Sequence, residues 1–256
     1  MRHIARKRFG QHFLVDQGVI ASIVDAIHPQ PDDLMVEIGP GLEAITRPLL
    51  EKLKHLHVVE IDRNIVARLE NNYARTKLTI HSVDALTFDF GSVGKPLRVV
   101  GNLPYNISTP ILFHLAEFAN NISDMTFMLQ KEVVERMVAA PSTSDYGRLS
   151  VALQYRFDME LLFLVSPEAF DPPPKVESAI VRMIPKPAAQ LLAGDADLFA
   201  RIVTTAFSQR RKTIRNTLID FLASDDFAAL KLDSRLRAEN LSVTDYVNIA
   251  NYLNGK

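Results

Sequence analysis

Apolar positions along the first 140 residues fall into two alternating rhythms. Ile20, Ile23, Val24 and Ile27 recur at helical spacing. Leu34-Met-Val-Glu-Ile38 is a short apolar run ending at Gly39-Pro-Gly41, as a buried strand entering a tight turn would be. Ile45, Leu49, Leu50 and Leu53 give the next helical stripe, and residues 56–60 the next strand. Further strands are predicted at 78–80, 97–100 and 125–129, with helices at 65–69, 111–118 and 131–138. Strands that alternate with helices require crossover connections, so the pattern predicts an α/β fold with a parallel sheet covered on both faces.

The texture changes at Pro185-Lys-Pro187, where proline, alanine and glycine through Gly194 read as a linker. Beyond it only helical patterns remain, at 198–207, 213–222 and 243–253. The prediction is a large α/β domain over residues 1–186, with a basic N-terminal segment, followed by a small all-helical domain over 187–256.

Composition narrows the chemistry. The 256 residues are 47% hydrophobic and 23% charged, the balance of a folded protein with a full core. There is no cysteine, which removes disulfides, thiolate zinc sites and cysteine nucleophiles together. The seven histidines show no metal-ligand spacing, so no metal is expected, and His55 and His57 are expected to face solvent. No Gly-x-Ser-x-Gly elbow signals a hydrolase. Gly91-Ser-Val-Gly94-Lys95 has the wrong spacing for a phosphate loop, with Pro96 where Ser or Thr should stand. No apolar run reaches membrane-spanning length. The basic start lacks the apolar stretch of a secretory signal and the serine-rich spacer of a mitochondrial presequence, so a cytoplasmic location is expected.

Four features fall at successive strand ends. Glu37-Ile-Gly-Pro-Gly41 is a strand-to-helix turn whose glycines, Gly39 and Gly41, allow close approach of a ligand to the backbone. Glu60 ends the next strand, where doubly wound folds place an acceptor for ribose hydroxyls; Asp62 could claim the same role. Asp84 follows the third strand, placed to meet an adenine amine. Asn102-Leu103-Pro104-Tyr105 follows the fourth. Together they point to an adenine-nucleoside cofactor. Ala44 stands at the third fingerprint position of a dinucleotide site, but the fourth feature suits hydride transfer badly.

That fourth feature is the most specific. An exocyclic aromatic amine is a poor nucleophile because its lone pair is delocalised into the ring. A side-chain amide oxygen and a backbone carbonyl can accept its two N–H bonds and draw the nitrogen towards a tetrahedral state. Proline stiffens such a loop, and a following aromatic can stack on the base.

Gly101-Asn-Leu-Pro-Tyr-Asn-Ile-Ser-Thr109 and Glu37-Ile-Gly-Pro-Gly-Leu42 resemble the ribosomal RNA adenine N6,N6-dimethyltransferases, as do Arg6-Lys-Arg-Phe-Gly-Gln-His-Phe-Leu14 and Phe127-Met-Leu-Gln-Lys-Glu-Val133. Phe170-Asp-Pro-Pro-Pro-Lys-Val176 and Gln209-Arg-Arg-Lys-Thr-Ile-Arg-Asn216 extend the likeness through the tail, and it is strongest to the bacterial small-subunit type. The resemblance implies a Rossmann-like methyltransferase fold, S-adenosylmethionine as cofactor, and two adjacent adenosines near the 3′ end of small-subunit ribosomal RNA as substrate. It further implies a monomer with a role in subunit biogenesis, meeting its RNA in a pre-30S particle. His12, Leu14, Gly39, Gly41, Glu60, Asp84 and Asn102 would be cofactor positions. Asn102, Leu103 and Pro104 would bind the amine, with Tyr105 and Phe170 as the two stacking faces for a base drawn out of its helix. Phe170 also reads as a core aromatic.

Two positions depart from the family pattern. Position 12, commonly Asn, is His, which puts a side-chain contact to the cofactor in question but not a backbone one. Position 43, usually Gly or Ala, is Glu. It reads either as a carboxylate in a first helical turn or as a group that alters cofactor affinity.

The net charge is −1, yet residues 1–10 carry four basic residues and no acid, and residues 201–216 carry five and none. The other 230 residues hold 20 basic against 30 acidic side chains. Arg6, Lys7 and Arg8, with Arg210, Arg211, Lys212 and Arg215, are therefore candidate RNA contacts; helical spacing would put Arg211 and Arg215 on one face. A solvated helix face is the plainer reading of the second group. The competing functions are methylation of a large-subunit adenine, as in macrolide resistance, methylation of DNA, and an assembly factor with vestigial catalysis.

Overall fold

A computed structural model describes residues 12–256; Arg6, Lys7 and Arg8 lie outside the described residues. The chain forms two compact units, one of residues 1–134 with 159–185, the other of 135–158 with 186–256.

The first unit is built on a seven-stranded sheet of order β4-β3-β2-β5-β6-β9-β7. Its strands are β2 (Leu34–Ile38), β3 (Leu56–Val59), β4 (Leu78–His81), β5 (Leu97–Asn102), β6 (Ile122–Gln130), β7 (Phe157–Val165) and β9 (Ser178–Pro185). The helices between them are α2 (Thr46–Lys52), α3 (Arg63–Asn72) and α4 (Ser108–Glu117), preceded by α1 (Gln17–Ile27) and followed by α5 (Lys131–Val138). A separate two-residue ribbon pairs β1 (Phe13–Leu14) with β8 (Phe170–Asp171), Leu14 opposite Phe170.

The strands from β2 to β6 pair in parallel, as expected. The purely parallel expectation fails at β9, which runs antiparallel to β6 with Gln130 opposite Ser178. The run Ser178-Ala-Ile-Val-Arg-Met-Ile-Pro185 is apolar enough to be buried but carries no signal of direction. β2 is flanked by β3 on one side and β5 on the other. Connections leave in opposite directions there, which opens a crevice at the carboxyl ends of the two strands. Gly101 makes the close pairing possible: a Cβ there would lie 2.6 Å from the Ile38 carbonyl oxygen.

His55 and His57 do not simply face solvent. His57 Nδ1 lies 3.1 Å from His81 Nε2, and the His55 ring nitrogens meet the Thr76 carbonyl and the Thr79 hydroxyl. Burial, with the charges of His55 and His81, holds His57 down at about 4.

The second unit contains α6 (Arg148–Arg156), α7 (Ala196–Ala206), α8 (Ile214–Thr217), α9 (Ser224–Ala229) and α10 (Val243–Asn254). Its core joins Val151 and Tyr155 of α6 to Phe199, Ile202, Val203 and Tyr246. The expected division at 186/187 therefore differs from the compact units by the segment 135–158. That segment packs into the helical core because α6 turns Val151 and Tyr155 towards α7. The helix expected over 213–222 shortens to the single turn α8, which ends at the Leu218 cap with φ −104° and ψ 18°, and the chain continues as turns; at its start the N–H groups of Ile214 and Arg215 are bonded to the Leu236 and Ser234 carbonyls, and Thr213 bridges to Arg237. Arg210 and Arg211 consequently lie in the preceding turn and not on a shared helical face with Arg215; all three, with Lys212, are exposed.

Candidate active site

The crevice at the ends of β2 and β5 holds a cavity of about 320 Å³, within the range of small-molecule sites. It gathers His12, Leu14, Gly39, Gly41, Glu60, Asp84, Asn102, Leu103, Pro104, Tyr105 and Phe170 into one lining, with Asp62 beside Glu60.

The floor is the turn after β2. Gly39 and Gly41 have φ of +68° and +54°, the left-handed region that favours glycine. The Gly39 N–H donates to Val59, joining the turn to the end of β3. Glu37, at the base of this turn, is buried and accepts a 2.7 Å hydrogen bond from Thr46 Oγ1. Burial pushes its carboxyl up to about 8, with the charges of Glu60 and Glu43 acting in the same direction.

Glu60 and Asp62 form the acceptor wall. Glu60 is 8% exposed and its Oε1 accepts from the Asp62 N–H at 2.8 Å. Burial raises its carboxyl above the usual range, tempered by the N–H groups of Asp62, Ile61 and Gly41. Asp62 caps α3 through Oδ1, which accepts from the Asn64 N–H, while Oδ2 is buried with no hydrogen-bond partner among the described residues. A buried acceptor without a donor is costly unless a ligand supplies one. Between these carboxylates Ile61 is 52% exposed and lines the cavity, an apolar surface for a flat ring. Asp84 turns its Oδ1 onto the Leu86 N–H at 2.9 Å. Ribose hydroxyls, an adenine ring and its amine would find acceptors and an apolar slot in this set, so the residues present fit S-adenosylmethionine.

The opposite end is the Asn102–Tyr105 loop. The Leu103 N–H donates to Met128, the Pro104 carbonyl accepts from Ile107, and the Tyr105 carbonyl accepts from Ser108 Oγ. These bonds fix the loop on β6 and the start of α4. Tyr105 Oη lies 2.8 Å from Ser178 Oγ, and burial raises the phenol above its ordinary pKa. Phe170 borders the cavity but is only 3% exposed and packs in the core with Leu14, Val165 and Ala169. His12 Nδ1 is 2.7 Å from the Pro172 carbonyl, and its ring stacks near Tyr105 with centroids 6.1 Å apart. The His12 side chain is thus engaged by the loop that follows β8.

Sequence reasoning overlooked Ile61 and Ser178. An isoleucine held between two acids was a legible hint; Ser178 reaches Tyr105 only through the sheet. Of the two readings of Glu43, the first-turn carboxylate does not hold, since α2 starts at Thr46; nor does Glu43 line the cavity. Among the described residues no group of three or more histidine or acidic side chains could hold a metal ion, and no helix is long and apolar enough to cross a membrane.

Residues 2–255 match the model of the family described as ribosomal RNA adenine dimethylase. A protein of Nitrosospira multiformis, named ribosomal RNA small subunit methyltransferase A, is 63% identical over 254 residues, which is 99% of this chain and 98% of that protein. Among solved structures, a dimethyladenosine transferase from Plasmodium falciparum superposes with a TM-score of 0.81 at 26% identity, covering 95% of this chain and 98% of its own. The 23S rRNA methyltransferase ErmE superposes with a TM-score of 0.72 at 25% identity, covering 94% and 99%.

Proposed function

This chain belongs to the ribosomal RNA adenine dimethylase family, and on that premise we propose that it dimethylates the N6 amines of two adjacent adenosines near the 3′ end of small-subunit ribosomal RNA. The observation that carries the reading is the convergence of the glycine turn, the Glu60–Asp62 wall, Asp84 and the Asn102–Tyr105 loop on one cavity. The 63% identity to a small-subunit enzyme, against 25% to the large-subunit one, favours the small-subunit substrate.

S-adenosylmethionine, when bound, supplies an electrophilic methyl group on sulfonium sulfur. Glu60 and Asp62 would hold its ribose, Ile61 and Asp84 its adenine, and the Gly39–Gly41 turn would let its chain lie against the backbone. His12 and Leu14 border the same cavity, where a main-chain contact from position 12 is compatible with the side chain's bond to Pro172. At the target end, the Asn102 amide oxygen and a carbonyl of the Leu103-Pro104 pair would accept both N–H bonds of the amine. This turns the nitrogen lone pair out of conjugation and towards the methyl. Tyr105 would stack on the flipped base, a contact of about 1–3 kcal/mol, and Phe170 would back the pocket from the core. Holding both reactants in line contributes on the order of 7–11 kcal/mol through orientation. The alkylated amine loses its proton readily, so no dedicated base is required.

Arg6, Lys7 and Arg8, with Arg210, Arg211, Lys212 and Arg215, would contact phosphates. Those charges would set affinity while RNA shape and exposed bases set the site. We further propose that the protein works as a monomer in the cytoplasm, on a pre-30S particle and without a metal. The test is to incubate undermethylated small subunits, large subunits and DNA with methyl-labelled cofactor and map the label. Label at adjacent adenosines of small-subunit RNA is expected; label only in large-subunit RNA or DNA would overturn the proposal.

A further inference from the structure

Glu43 differs from every neighbour in the turn that carries the cavity floor. From Glu37 to Ile45 it alone does not line the cavity. Its φ is +70°, a conformation that costs a side-chain-bearing residue and persists where surrounding contacts hold it. Its side chain is fully enclosed and its carboxylate meets four donors. Oε1 accepts from Arg68 Nε at 2.6 Å and Asn72 Nδ2 at 2.9 Å, and Oε2 from Tyr73 Oη at 2.8 Å and Arg47 Nε at 3.4 Å. Burial alone would raise its pKa, but the bonds from Arg68 and Tyr73 and the charges of Arg68 and Arg47 together hold it below the usual carboxylate range.

Three of the four donors sit on α3 or at its C-cap, Tyr73. The same helix begins at Arg63, directly after the Asp62 cap and the Glu60 acceptor. Both walls of the cavity are therefore fastened to one helix: the 60–62 segment by chain continuity at its start, the 39–45 turn through Glu43 near its end. We propose that Glu43 is a positioning residue for S-adenosylmethionine. By anchoring the 39–45 turn to Arg68, Asn72 and Tyr73, it sets the gap between the glycine turn and the Glu60–Asp62 acceptors that a single ligand must span. The inference rests on the reading of this cavity as the cofactor site. Fixing the turn before binding removes an ordering cost that the ligand would otherwise meet.

Calorimetric titration of S-adenosylmethionine into the wild type, Glu43→Gly and Glu43→Gln tests it. Glycine suits the positive φ, so Glu43→Gly removes the carboxylate without straining the backbone. Its Kd should weaken on the order of tenfold, the scale of losing charge-assisted hydrogen bonds, with Glu43→Gln intermediate. Backbone amides of the 40–45 turn should exchange faster in the free variants. The KM for ribosomal substrate at saturating cofactor should stay within about twofold, a split that general destabilisation would not give. Arg68→Met should weaken binding similarly and add little in combination with Glu43→Gly. An unchanged Kd in the variants would overturn the inference; if Glu43→Gly does not fold, an unchanged Kd for Glu43→Gln does so alone. A wild type that fails to bind S-adenosylmethionine would instead overturn the cofactor reading itself.

Discussion

Tyr105 is restrained at two points, its hydroxyl by Ser178 Oγ at 2.8 Å and its ring by the stacked His12. A stacking face gains from being fixed before the base arrives, so Ser178→Ala should loosen the ring. It should raise KM for RNA about three- to tenfold, the scale of one hydrogen bond, with cofactor Kd unchanged in a binding titration. Asn102→Ala should lower kcat on the order of a hundredfold or more, the scale of losing one transition-state hydrogen bond. Single-turnover kinetics at saturating cofactor would read this, and wild-type turnover would remove the amine-activation role. At this scale the sequence exposes chemistry that is local to a motif. Asn102-Leu-Pro-Tyr105 and Glu37-Ile-Gly-Pro-Gly41 would carry their proposed roles within a few residues, and they line the cavity together. Ser178, 73 positions from Tyr105, and the Arg68, Asn72 and Tyr73 donors to Glu43 become partners only through the fold. Glu43 itself looks like a helix-start carboxylate until its positive φ is seen.

The β3–β4 pair carries a titratable seam. His57 stacks on His81 at 5.4 Å, and His81 packs on Phe88 at 4.6 Å. Burial lowers the pKa of both histidines, with His57 at about 4. Unfolded imidazoles take up protons near pH 6.5, whereas folded His57 resists until about pH 4. Its contribution to stability is therefore intact above pH 6.5 and is lost as pH falls towards 4. His57→Gln should flatten that acid limb, reducing the loss of unfolding free energy between pH 7 and 4.5 by about 1–2 kcal/mol after allowance for its partial exposure. Denaturant titrations at the two pH values would measure it; an unchanged limb would contradict the assignment. The parallel half of the sheet was legible because each strand is a short segment rich in apolar residues between helical stripes. The stretch 139–185 was not. β7 mixes exposed and half-buried positions along its length, and the direction of β9 is decided by where the chain re-enters the sheet beside β6. The 213–222 stripe had the right period, but the chain leaves helical geometry at the Leu218 cap, with φ −104° and ψ 18°, and goes on as turns.

Charge on the whole molecule is unevenly distributed, with five basic and no acidic residues over 201–216 in a chain of net charge −1. Arg210, Arg211, Lys212 and Arg215 are exposed, as phosphate contacts need to be. If they meet RNA, Arg211→Ala should lower affinity across RNA sequences and reduce the salt slope of log K by about one unit. Binding measured over a salt series checks this, and an unchanged slope would assign Arg211 to solvent. The proline-rich change of texture at 185–187 falls where the chain passes from one compact unit to the other, after Pro185. The capture of α6 by the helical core was not legible, because Val151 and Tyr155 are apolar residues whose partners, such as Phe199, lie beyond that break. Residue, strand and charge together make one reaction: the cavity at the switch point of the sheet would dimethylate adenosine in small-subunit RNA. Nucleoside mass spectrometry of RNA from undermethylated small subunits, after incubation with the protein and S-adenosylmethionine, tests it most directly. Two N6,N6-dimethyladenosines per subunit, four methyl groups in all, are expected; methyl groups on another base or another atom of adenine, or none, would overturn the reading.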